Sequence, residues 1–213
     1  MKIKTNIEKI ISEIGNVNLV AVSKTKSNEE ILEAYNCGIK DFGENYVQEL
    51  IVKMDSLPKD IKWHMIGHLQ TNKVKDIVKR NIFLIESVDS LKLASIINKE
   101  AIKNNKIVNI LIEVKMSNID SRSGCSIEEL PILIKSIIEL SNLNLMGLMV
   151  VAPLTSNEEE IRSCFKTMKS LKEKYKLKEL SMGMSNDYKI AIEEGSTMVR
   201  IGTNIFGKRN NMI

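Results

Sequence analysis

The chain has 213 residues, 43% of them hydrophobic and 27% charged, with a formal net charge of +4. This is the composition of one moderately sized globular domain with a substantial core, and it excludes a disordered chain. The positive charge is mild and spread as Lys/Glu mixtures along amphipathic segments, so no nucleic-acid partner is expected.

The N-terminal "MKIKTNIEKIISEIG" sets charges against isoleucines at helical spacing and predicts a helix over residues 3–14. It resembles no signal peptide, and no apolar run approaches membrane-spanning length, so the expected location is the cytoplasm with no membrane partner. Cys37, Cys125 and Cys164 show neither CxxC nor metal-ligand spacing. They fit a reducing compartment, with no disulfide framework and no metal site.

Short apolar runs then alternate with helical segments. Strands are predicted at 18–22, 39–42, 61–66, 82–86, 108–114, 144–149, 179–182 and 197–201. Ser27-x-x-Glu30, Ser126-x-x-Glu129 and Ser156-x-x-Glu159 have the form of capping boxes, and Gly38 and Gly195 stand where helices should stop. Several strands are apolar on both faces, as in a parallel sheet covered by helices. Eight such units fit a single α/β domain over residues 1–213, a (β/α)8 TIM-type barrel with the extra N-terminal helix closing its bottom. An open doubly wound sheet is the alternative, although it usually has fewer strands.

Barrel sites lie at the C-terminal ends of the strands. In "NLVAVSKTKS", Val20, Val22 and Lys24 share one side of strand 1. If that side faces the barrel axis, the Lys24 amine sits in the mouth. Partial desolvation and the nearby Lys26 would both lower its pKa, as Schiff-base formation with an aldehyde requires. At the other end of the chain, "SMGMSND" follows strand 7 and "RIGTNIFG" follows strand 8. These are the phosphate loops of this fold, which makes Ser185, Gly202 and Thr203 anion-binding candidates with Arg200 beside them. A Schiff-base lysine facing a phosphate cradle suits a phosphorylated aldehyde. Pyridoxal 5'-phosphate (PLP) and a phosphosugar aldolase substrate both satisfy it.

The segments "AVSKTKS", "FGENYVQE", "WHMIGHLQTNK", "SRSG", "GLM" and "LSMGMSNDYKIAIEEGSTMVRIGTNIFG" carry a resemblance across residues 19–207. The chain resembles the pyridoxal phosphate homeostasis protein family, the YggS/PROSC-type PLP-binding proteins. The resemblance implies a barrel of the alanine racemase N-terminal type with PLP as cofactor, linked to Lys24. It also implies phosphate contacts from Ser185, Gly202 and Thr203, Arg200 at either the pyridine nitrogen or the phosphate, and Asn45 near the cofactor. Lys115, Met116 and Arg122 depart from the residues more usual in relatives, on a loop expected to rim the mouth.

Among the other residues, His64 reads as a satisfied core histidine, while His68 follows strand 3 and is a candidate for the rim. Tyr46 and Gln48 belong to the pocket or to a helix surface. Cys125 reads as structural, since nothing basic is placed to activate it. Met182 and Met184 read as packing at the barrel top, with Met184 also a candidate neighbour of the cofactor.

Racemisation needs a proton-transfer group on each face of the PLP ring, and Lys24 supplies one. In the alanine racemase family the second base comes from another domain, for which this chain is too short. The expected function is therefore that of a PLP carrier in vitamin B6 and amino-acid homeostasis, without catalysis. It would be a monomer, with PLP-dependent apo-enzymes as candidate recipients. The alternative is a PLP-dependent amino-acid racemase or lyase of narrow specificity.

Overall fold

Each parallel strand pairs with the next in sequence order, and the last returns to the first, with Val20 opposite Arg200 and Ala21 opposite Ile201. The computed structural model describes residues 2–116 and 123–207. In chain order the elements are α1 (Lys2–Ile14), β1 (Asn18–Val22), α2 (Asn28–Asn36), β2 (Asp41–Glu44), α3 (Val47–Ser56), β3 (Lys62–Met65) and α4 (Val74–Val78). There follow β4 (Leu84–Val88), α5 (Leu91–Lys103), β5 (Val108–Glu113), α6 (Leu130–Ile138), β6 (Leu143–Met149) and α7 (Glu158–Lys174). The described residues end in β7 (Glu179–Ser181), α8 (Tyr188–Glu193), β8 (Met198–Ile201) and a single turn, α9 (Thr203–Phe206). This is the expected (β/α)8 barrel.

Alternation along the strands builds two apolar layers. Val20, Leu84, Leu111, Met149 and Met198 meet inside the barrel. Leu19, Ala21, Phe42, Trp63 and Ile201, at the intervening positions, pack outward against the helices. Phe42 and Trp63 lie on adjacent strands with ring centroids 5.9 Å apart. Among the described residues, no helix is long and apolar enough to cross a membrane.

The helix starts follow the sequence with one correction. Ser27 and Glu30 form the reciprocal capping box of α2. Ser126 and Glu129 exchange the same two bonds, at 2.8 and 3.2 Å, one turn ahead of α6. At α7 the cap is Asn157 rather than Ser156: its side-chain oxygen accepts the Glu159 amide at 3.0 Å. An Asn at the N-cap serves as well as a serine.

The N-terminal helix also differs from expectation. α1 packs beside α2, α8, α9 and β1, within the outer ring rather than beneath the barrel. Its start is tied to the top of the barrel, where Asn6 Nδ2 donates to the Ile205 carbonyl at 2.9 Å. Near its end, Tyr188 donates its hydroxyl to Glu13. Among the described residues the extension after β8 is one turn long, and α1 packs beside it in the outer ring, in the place a full helix after β8 would take.

Candidate functional site

The C-terminal ends of the strands open into a cavity of about 890 Å³ whose wall includes Lys24, Met184, Ser185, Arg200, Gly202 and Thr203. Six of the eight sequence-predicted site residues thus share one space. Val20 is buried inside the barrel and Val22 lines the cavity with Lys24, so the side-chain parity of β1 carries the amine into the mouth. Lys26, expected to add positive charge beside it, is instead held by Glu30 at 3.0 Å and by the Phe206 carbonyl at 3.3 Å.

The two loops opposite Lys24 are held to each other. Asn204 Nδ2 donates to the Ser185 carbonyl at 2.9 Å, tying the loop after β7 to α9. Gly183 has φ +95°, and a Cβ there would stand 2.6 Å from the Ala191 Cβ. Glycine is therefore required where the chain leaves β7. Gly202 passes close to β1, since a Cβ there would meet the Val22 carbonyl oxygen at 3.2 Å. Gly202 and Thr203 open α9, whose first amides have no partner within the helix. The hydroxyls of Ser185 and Thr203, with these amides, suit an anion.

Arg200 is buried rather than displayed. Its guanidinium donates to Ser181 Oγ at 2.5 Å and to the Val150 carbonyl at 2.8 Å. Ser181 in turn donates to Glu86 Oε2 at 2.6 Å, and that oxygen lies 3.8 Å from Arg200. Glu86 Oε1 is 2.7 Å from His64 Nδ1, and His64 Nε2 is 3.0 Å from Asp41 Oδ1. A polar chain thus runs through the barrel from Asp41 to the mouth. Burial alone would lower the His64 pKa, but its hydrogen bonds to Asp41 and Glu86 hold it above its ordinary value. Burial would raise Glu86, but His64 and Arg200 hold it below the usual carboxylate value. His64 is the satisfied core histidine that was expected. Glu86 and Ser181 were missed, because nothing local in the sequence links them to Arg200.

Asn45 and His68 do not join this cavity. They line a smaller one of about 340 Å³ with Tyr46, Gln48, Gln70 and Lys73. Gly67 is pressed so closely against Asn45 that a Cβ would fall 2.3 Å from the Asn45 carbonyl oxygen, which fixes Asn45 on that side. His68 stays largely exposed, 3.7 Å from Asp89. Tyr46 and Gln48 are both surface residues and part of this cavity wall. Met182 is buried as packing, whereas Met184 is 37% exposed on the rim. The segment after β6, residues 151–156, also lines the mouth and was missed, although its position after a strand was a signal. Cys125 is buried and its thiol is pushed up to about 12, first by that burial, so it is structural. Lys115 and Met116 follow β5, and Arg122 lies outside the described residues.

The chain matches the alanine racemase N-terminal domain family over residues 1–210. The pyridoxal phosphate homeostasis protein of Aquifex aeolicus is 43% identical over 198 residues, which cover 90% of this chain and 86% of that protein. The structure of PipY of Synechococcus elongatus with PLP bound has a TM-score of 0.88 and 34% identity, covering 96% of this chain and 100% of PipY. Alanine racemase of Corynebacterium glutamicum shares the fold at a TM-score of 0.79 and 15% identity, covering 99% of this chain and 61% of the racemase. Fold and mouth therefore define a barrel of the alanine racemase N-terminal class. Within it, the chain belongs to the pyridoxal phosphate homeostasis protein family.

Proposed function

We propose that this protein holds PLP covalently on Lys24 and serves intracellular PLP and amino-acid homeostasis without catalytic turnover. The observation that carries the reading is one cavity that unites Lys24 with Ser185, Gly202 and Thr203 across the mouth. When bound, PLP supplies an aldehyde that condenses with an amine, a phosphate and a pyridine ring. The residues fit each part: an amine from β1, hydroxyls and amides from the loops after β7 and β8, and a guanidinium between them.

Ser181 and Val150 draw the Arg200 guanidinium over the barrel axis, toward β6 and β7 and away from Gly202 and Thr203. This supports a place at the pyridine nitrogen rather than at the phosphate. There Arg200 would donate a hydrogen bond, and a guanidinium gives up no proton. The relatives' names and the bound PLP of PipY support the cofactor assignment. A single barrel domain acting in the cytoplasm as a monomer, with PLP-dependent apo-enzymes as recipients, completes the reading.

A racemase or lyase of narrow specificity has one group in its favour. Asp187 lines the same cavity, and burial raises its carboxyl pKa. Its Oδ1, however, is engaged by the Met184 amide at 2.5 Å. The test is the visible spectrum of purified protein with PLP before and after borohydride reduction, with peptide mapping of the modified lysine. Modification of Lys24, its loss in Lys24→Ala, and no change in the chirality of added amino acids support the reading. Labelling elsewhere, or rapid racemisation or elimination, overturns it.

A further inference from the structure

Lys24 is bracketed by side chains of α3 that reach under the mouth from the helix layer. The peptide before it is held at the Ser23 carbonyl, which accepts from Lys53 Nζ at 2.8 Å. The peptide after it is held at the Thr25 amide, which donates to Glu49 Oε2 at 2.8 Å. These two planes define φ and ψ of Lys24, so holding both fixes the direction in which its side chain leaves the backbone. Thr25 itself is left-handed, with φ +63°, a conformation that a non-glycine residue keeps only where its surroundings enforce it.

Glu49 and Lys53 stand four residues apart on one face of α3, and their charged groups are 3.0 Å apart. Lys53 is anchored from below by Glu44 Oε1 at 2.7 Å, and the same oxygen accepts the Ser23 hydroxyl at 2.6 Å. Glu44 has no solvent exposure, and its other oxygen has no hydrogen-bond partner. A layer serving packing alone would be as well or better served by apolar side chains, because a buried, incompletely satisfied ion pair contributes little net stability.

We infer that Glu49 and Lys53, anchored by Glu44, are positioning residues that set the backbone of Lys24 for covalent capture of PLP. The inference rests on the reading of Lys24 as the attachment site. The clamp acts before any ligand arrives: it presents the amine to the cavity, so that binding does not have to order the turn.

The test compares Glu49→Ala, Glu49→Gln and Lys53→Met with wild type and Lys24→Ala. Titration with PLP is followed by visible absorbance and borohydride trapping, and the unfolding midpoint of each PLP-free protein is measured alongside. Glu49 is partly exposed, so its substitution leaves the core intact. Loss of one charge-assisted bond should weaken PLP binding about tenfold in Glu49→Ala. Glu49→Gln keeps an acceptor for the Thr25 amide and should stay within about threefold of wild type. Lys53→Met should bind as weakly as Glu49→Ala or more weakly. Wild-type affinity in Glu49→Ala overturns the inference, as does a loss in Glu49→Gln equal to that in Glu49→Ala. A fall in affinity that merely follows the unfolding midpoint also overturns it. If Lys24→Ala still traps PLP, the attachment site itself is misassigned, an outcome distinct from failure of the clamp.

Discussion

His64 Nδ1 stands 2.7 Å from Glu86 Oε1, and neither side chain is exposed to solvent. With Asp41 on the other ring nitrogen and Arg200 beyond Glu86, acidic and basic groups alternate from the lower barrel to the mouth. Such a chain keeps each buried charge compensated only while every member is present. It also sets the position of Arg200, the one member that reaches the cavity at the mouth.

Replacing His64 by alanine removes the hydrogen-bond partner that two buried carboxylates share. The expected cost is about 3–5 kcal/mol in urea unfolding near neutral pH. The pH dependence has a definite sign. The His64 pKa is raised above its ordinary value of 6.5, so its contribution is complete below that value and is lost as pH rises through the folded pKa. Glu86 and Asp41 are lowered, so their contributions are present above ordinary carboxylate values and are lost as pH falls through the lowered ones. The stability deficit of His64→Ala should therefore shrink as pH is raised. A deficit that stays constant from about pH 6 to about pH 10 would show that no imidazolium is present.

How much of this could be read in advance depends on the range of the interaction. The parity of Val20, Val22 and Lys24 is set by the two-residue repeat of a strand, and it placed Lys24 correctly. β2 was expected at 39–42 and lies at Asp41–Glu44, because a buried glycine and glutamate look unlike a strand. Gly43 is there because the barrel interior leaves no room: a Cβ would stand 3.0 Å from Ile66 and 3.1 Å from Val20. Glu44 is there because Lys53 reaches it from the helix layer. β4 likewise lies at Leu84–Val88 rather than 82–86, with Glu86 buried at its middle position. Glu86 and Ser181 meet across 95 positions of sequence, and no local pattern announces such a pair.

If α1 supplies the barrel's missing outer helix, its core-facing residues should matter as much as those of any other helix. Ile7 is 1% exposed and packs in the layer between strands and helices. Ile7→Ala should cost about 2–5 kcal/mol, as for other large-to-small changes in a core. Thermal unfolding checks this, and a change below about 1 kcal/mol would mean that α1 is an appendage.

Gly183→Ala tests the loop after β7. The added methyl would meet the Ala191 Cβ at 2.6 Å and the Tyr188 Cα at 2.9 Å, at a left-handed φ of +95°. Strain of this kind costs about 1–3 kcal/mol. Because the same loop carries Ser185, the variant should lose PLP affinity as well as stability. Inorganic phosphate protection against unfolding, measured for both proteins, separates the two effects: protection should weaken in the variant.

The three thiols should separate by reactivity. Burial, aided by the Glu129 charge, pushes the Cys125 thiol up to about 12, so at pH 8 almost none of it is thiolate. Cys164 is also buried, whereas Cys37 is only partly covered near the end of α2. Treating native protein with iodoacetamide at about pH 8 should therefore modify Cys37 first, as read by mass spectrometry of peptides. Cys125 and Cys164 should react at rates set by opening of the fold, and denaturant should accelerate both far more than Cys37. Rapid native labelling of Cys125 would contradict its assignment as structural. It would also mean that the segment after β5 opens far more readily than the hydrogen bonds between Cys125 and Glu113 and between Lys115 and Cys125, both 2.9 Å, imply.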